Sequence, residues 1–129
     1  MTRMLGEAGD YAAAVWPDAP VNVAGGGMPP VWVAGVDPQT AMIVHVEYVP
    51  DPTSSPLVEG SSAPDVVRRA AVVDLLAVFG RYREVIEDEA NPLRGVRTFT
   101  NAPAAIPALA WVQNESGCAG AIEVRLPGE

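Results

Sequence analysis

Residues 31–49 read VWVAGVDPQTAMIVHVEYV, and the fold class turns on how this stretch is understood. Val31 to Val36 and Ala41 to Val49 are apolar, β-branched runs. Between them Asp37-Pro38-Gln39-Thr40 forms a four-residue turn signal with proline in its second place. Side chains alternate along a strand. Met42, Val44, Val46 and Tyr48 therefore face one way, and Ile43, His45, Glu47 and Val49 the other. A hairpin here, with helical patterns before and after it, predicts an α+β fold.

Working outward, Leu5, Ala8, Tyr11, Ala12 and Val15 recur at helical spacing between Met4 and Trp16, and Pro17 stops the pattern. Val21 to Ala24 is a short strand, followed by Gly25-Gly26-Gly27 and Pro29-Pro30 as a turn. Pro50 to Ala63 holds three prolines and four serines, which predicts a long, mobile loop. Ser62-x-x-Asp65 reads as a capping box opening a helix that runs to about Ala90, since Asn91 precedes Pro92. Val96 to Thr100, Pro107 to Gln113 and Ala119 to Leu126 are three further strands. The order is α-β-β-β-α-β-β-β. It predicts a mainly antiparallel sheet with an N-terminal helix and one long central helix, in a single domain over residues 1–129.

The formal net charge is −8 and no lysine occurs. An acidic protein repels phosphate backbones and anionic lipid, so the charge argues against nucleic acid and membranes as partners. The start of the chain carries Glu7 and Asp10 and no apolar run, unlike a signal peptide. The most apolar stretch, Val66 to Phe79, is broken by Arg68, Arg69 and Asp74. One cysteine, Cys118, rules out an internal disulfide. Together these predict a cytoplasmic protein.

Four residues are candidates for chemistry. His45 is the single histidine, and His45-Val46-Glu47 sets imidazole and carboxylate on one strand face, roughly 7 Å apart. That pair suits a general base with its orienting acid, or a metal site. Asp74 is the one charged residue between Ala70 and Phe79. Cys118 is a potential nucleophile, with His45 as the base it needs. The His-x-Glu triplet matches zinc deaminases, which also require Pro-Cys-x-x-Cys, absent here. His45, the Pro50-Asp51-Pro52-Thr53-Ser54 loop and Asp65 at a helix start resemble the zinc-dependent JAMM-type deubiquitinases and their DNA-repair relatives. In that likeness Glu47 occupies the place of a second histidine, and Asp65 lies further along. The triple glycine lacks the following helix and the Lys-Ser/Thr pair of a phosphate loop.

The central helix is apolar almost all round from Ala70 to Phe79, more than one sheet covers. Val72, Leu76 and Phe79, with the acidic Glu84, Glu87 and Asp88 beyond them, are therefore the expected partner-binding surface of a homodimer. With few titratable groups to converge on a cleft, the sequence favours a small non-enzymatic binding or assembly module, of the chaperone, immunity or phage-assembly kind. It needs neither cofactor nor metal. The alternative is a small metal-dependent or acid–base hydrolase centred on His45 and Glu47.

Overall fold

The computed structural model describes residues 6–126. Helix α1 spans Gly6–Val15, and Met4 and Leu5 of its expected start lie outside the described residues. Strands β1 (Val21–Gly25), β2 (Met28–Val33), β3 (Gly35–Asp37) and β4 (Met42–Glu47) follow, then helix α2 (Asp65–Glu87). Strand β5 (Gly95–Thr100), a one-turn 3-10 helix at Pro103–Ala105, helix α3 (Ile106–Ser116) and strand β6 (Ile122–Val124) complete the chain.

The α+β class holds, with two sheets. β1 and β2 form an antiparallel hairpin, and the larger sheet has the order β3-β4-β5-β6. The 31–49 hairpin forms in part: Gly35–Asp37 (β3) pairs antiparallel with β4, Val36 opposite Ile43, whereas Val31–Val33 belongs to β2 and pairs with β1 in the other sheet. Pro38-Gln39-Thr40 turns the chain, and Asp37 Oδ1 accepts the Gln39 N–H at 3.0 Å. The pairings made across helices, β4 with β5 and β5 with β6, are parallel. Parallel neighbours need a crossover long enough to hold a helix, and α2 and α3 supply it.

One expected strand is a helix. Pro107 to Gln113 belongs to α3. Its apolar run PALAWVQ is short enough to pass for a buried strand. Its stop signal was nonetheless present: Gly117 adopts a left-handed φ of 76°, and Cys118 N–H bonds the Gln113 carbonyl at 3.0 Å. Proline in the first turn and glycine just past the end mark a helix, not a strand. The capping box is a second correction. α2 starts at Asp65 behind Pro64, with no side-chain cap, and it ends at Glu87, short of Ala90.

The larger sheet has an apolar layer on each face. Tyr11, Ala12 and Val15 of α1 cover Val44, Val46 and Phe99. On the other face Leu75, Phe79, Tyr82 and Val85 of α2, with Leu109 and Val112 of α3, cover Ile43 and Val96. The side-chain alternation expected for β4 is thus the one found. α3 lies against α2 and covers flank that one sheet leaves bare. Phe79 is fully buried, and Val72 and Leu76 are half-buried against the core. Of the residues expected at a dimer interface, Phe79, Val72 and Leu76 pack against the core of the same chain, whereas Glu84 and Glu87 are exposed. The large apolar groups α2 leaves exposed are Val66, Val67, Val73 and Val78.

Candidate active site

The pleat of β4 turns His45 and Glu47 toward α2, and α2 crosses them with Phe79 and Tyr82. These two lie on the buried stripe Leu75-Phe79-Tyr82-Val85, spaced so as to share one helix face. The ring of Phe79 meets that of His45 edge-on with centroids 5.0 Å apart, and Tyr82 does so at 5.7 Å. His45 is therefore enclosed, with its side chain 12% exposed.

Both imidazole nitrogens are engaged. Nδ1 lies 2.8 Å from the Tyr82 hydroxyl, and Nε2 lies 2.9 Å from Glu47 Oε1. Burial above all, then the charge of Glu47 and the thiol of Cys118, pushes Tyr82 well above the usual tyrosine range. Its hydroxyl stays protonated and donates to Nδ1. A neutral ring then carries its proton on Nε2 and donates to Glu47. The line Tyr82–His45–Glu47 runs from the core to the surface and ends in a carboxylate. The contact of His45 with Glu47 holds one carboxylate oxygen against the ring.

Glu47 opens onto a cleft of about 570 Å³ between β4, α2 and the 50–57 segment. Leu57, Leu75, Val78 and Pro50 form apolar walls, and Asp51 and Asp74 add two more carboxylates. The 50–63 segment is a built wall where a mobile loop was expected. Leu57 and Val58 are buried in the core. Arg68 of α2 donates to the carbonyls of Val58 (2.8 Å), Ser61 (2.6 Å) and Ala63 (3.1 Å). Asp51 accepts from the Thr53 hydroxyl (2.7 Å) and amide (2.9 Å), which hold its carboxyl below the usual range. Asp74 is exposed at the cleft and makes no hydrogen bond or ion pair among the described residues.

The other candidates lie elsewhere. Cys118 is buried, its thiol 3.3 Å from the Phe79 carbonyl and pushed up by burial. With both nitrogens of His45 taken, the Cys118–His45 dyad does not form. The acidic helix end is largely paired within the chain: Arg81 with Glu84 at 2.5 Å and Arg83 with Glu87 at 2.6 Å. Asp88 accepts the Gly26 N–H at 3.0 Å, tying the β1–β2 turn to the end of α2. The triple glycine is that turn. Gly26 has φ of +67°, and a Cβ on it would sit 2.9 Å from Glu84 Cβ.

Tyr82 was not singled out from the sequence, although its place on the α2 core stripe was a usable signal. Arginines gather on the opposite face of the sheet. Arg97 and Arg125 lie over the Phe99 ring at 4.8 and 5.0 Å, and Arg97 is held between Asp37 and Glu123. No described helix is long and apolar enough to cross a membrane.

No curated protein and no solved structure gives a significant match to the chain. A family model does, over residues 8–118: restriction endonuclease fold toxin 2. This overturns two expectations, the non-enzymatic binding or assembly module and the exclusion of nucleic acid. Both leaned on whole-chain quantities, the net charge and the tally of titratable groups, whereas chemistry depends on the few groups that meet at one place. The match takes in every element from α1 to α3, and the chain belongs to the restriction endonuclease fold toxin 2 family.

Proposed function

We propose that this chain is a nuclease that cleaves RNA by acid–base chemistry, with Glu47 as the base. The observation that carries the reading is the Tyr82–His45–Glu47 line ending in the cleft, in a chain of a nuclease-fold toxin family. His45 and Tyr82 are positioning residues: they hold one carboxylate oxygen and leave the other available to take a proton.

Nucleases commonly work through bound divalent cations. Among the described residues no three His, Cys, Asp or Glu side chains converge as a metal-ligand set. Glu47 is engaged by His45 and Asp51 by Thr53. The donor set does not fit a metal, and no step is routed through one. RNA offers a route that needs none, because its 2′-hydroxyl is held beside the phosphorus it attacks. Glu47 takes the 2′-hydroxyl proton while the 2′-oxygen bonds to phosphorus. The bond from phosphorus to the 5′-oxygen breaks, and that oxygen takes a proton from water. The products are a 2′,3′-cyclic phosphate and a free 5′-hydroxyl.

The test is cleavage of single- and double-stranded RNA and DNA by purified protein, in EDTA and with Mg²⁺. RNA should be cut in EDTA to cyclic-phosphate ends. Glu47→Gln, which keeps shape and removes the base, should slow it by about 10²–10⁴-fold. A Glu47→Gln protein as fast as wild type, cleavage of DNA alone, or no cleavage of any substrate overturns the reading.

A further inference from the structure

The sequence contains no lysine, and among the described residues no arginine lines the cleft. Its charged lining is Glu47, Asp51 and Asp74, and its ring nitrogens at His45 are both occupied. Arg97 and Arg125 sit over Phe99, which packs against α1 on the other face of the sheet. A phosphate drawn past Glu47 toward Asp51 and Asp74 would meet further carboxylates and, among the described residues, no compensating cation, so Coulomb repulsion leaves the phosphodiester at the Glu47 end of the cleft. The part of a nucleotide that suits the cleft is the base. It is neutral and flat, its faces match the apolar walls at Leu57, Leu75 and Val78, and its edge can offer N–H groups.

The acceptors select among bases. An ionised carboxylate accepts hydrogen bonds and donates none. Asp51 already spends Oδ1 on Thr53, whereas Asp74 has both oxygens free among the described residues. Guanine presents N1–H and the N2 amino group side by side, a pair that meets two carboxylate oxygens at once. Adenine and cytosine each offer one amino group on that edge, next to an acceptor nitrogen. Uracil flanks its N3–H with two carbonyls, which face the carboxylate unfavourably.

We infer that the His45–Glu47 cleft is a nucleobase pocket in which Asp74 reads the Watson–Crick edge of guanine. The inference rests on the nuclease reading for its substrate class, and binding tests it separately from cleavage. Guanosine and inosine differ only in the N2 amino group, so their binding to the full chain by calorimetry isolates that contact. Guanosine should bind about tenfold tighter than inosine, and uridine more weakly than either. Asp74→Asn places a donor against the base edge, and guanosine should fall to the level of inosine. Asp74 is exposed on a helix, and an unchanged circular dichroism spectrum confirms that the variant folds. Mapped cuts in a random RNA should cluster at guanosine.

Equal binding of guanosine and inosine overturns the inference, as does cleavage without base preference. Preferential guanosine binding lost in Asp74→Asn, with no cleavage of any nucleic acid, upholds the pocket and overturns the nuclease reading alone.

Discussion

The Tyr82 hydroxyl and Nδ1 of His45 lie 2.8 Å apart across 37 residues of sequence. This contact joins the core of α2 to the strand that carries the proposed base. It gives the only histidine a defined tautomer and orientation, which neither residue's immediate neighbours in the chain supply.

Tyr82 links that contact to stability at high pH. Its folded-state pKa is raised above the ordinary 10.0, chiefly by burial. A raised value means that its contribution is fully present below pH 10 and is lost as the pH rises toward the folded value. Urea unfolding followed from about pH 9 to about pH 11 should show stability falling above about pH 10, at up to about 1.4 kcal/mol per pH unit for this proton. Tyr82→Phe keeps the ring contacts and should fall less steeply. Tyr48, raised first by its bond to Glu7, leaves a residual slope in both proteins. Identical slopes would show that Tyr82 ionises freely.

Arg68 should be the residue on which the cleft wall depends. It bonds the carbonyls of Val58, Ser61 and Ala63 and the hydroxyl of Ser61. Arg68→Ala removes these at once and should cost about 2–3 kcal/mol in chemical denaturation. Hydrogen exchange should quicken in residues 55–63 before it does in β4 or β5. A uniform change over the whole chain would mean that Arg68 only supports α2.

Gly35 admits no side chain. A Cβ there would come within 2.0 Å of Nε1 of Trp16, whose ring lies across the start of β3. Gly35→Ala must displace that ring, and overpacking of this kind costs about 1–3 kcal/mol. The emission of Trp16 should shift to the red in a Trp32→Phe, Trp111→Phe background, in which both exposed tryptophans are removed. An unshifted spectrum and unchanged stability would show that the ring has room to move.

Arg97 should govern the acid limb. The Thr40 hydroxyl first, then the Gln39 amide and Arg97, hold Asp37 below its ordinary 3.8, and Arg97 holds Glu123 below its ordinary 4.5. Lowered values mean that the stability these acids contribute is present at neutral pH and is lost as the pH falls through this range. Arg97→Gln should be less stable at neutral pH and flatten the loss on acidification. Parallel acid titrations of the two proteins, read by thermal midpoint, check this.

How much was legible in the sequence follows from the range of the forces involved. The β3–β4 hairpin, the alternation that turns His45 and Glu47 to one face, and the long helix were readable because turn chemistry and side-chain period act over a few residues. The pairing of His45 with Glu47 was visible for the same reason, being two residues apart on one strand. Pro107 to Gln113 was misread because a short apolar run suits a strand or a helix equally until its proline and glycine ends are weighed. The packing of the 50–63 segment escaped because its anchor, Arg68, looked like surface charge on a helix.

The sequence by itself determined the class, the helices that flank the hairpin, and the residues able to ionise. Only the tertiary structure decided which of them meet. Tyr82 reaches His45 because α2 crosses β4, Asp74 shares a cleft with Glu47 because the 50–57 segment lies against both β4 and α2, and the thiol of Cys118 meets the Phe79 carbonyl and not His45. Those meetings depend on long-range packing, in which each contact is selected by the fit of the whole core and leaves no local signature in the chain.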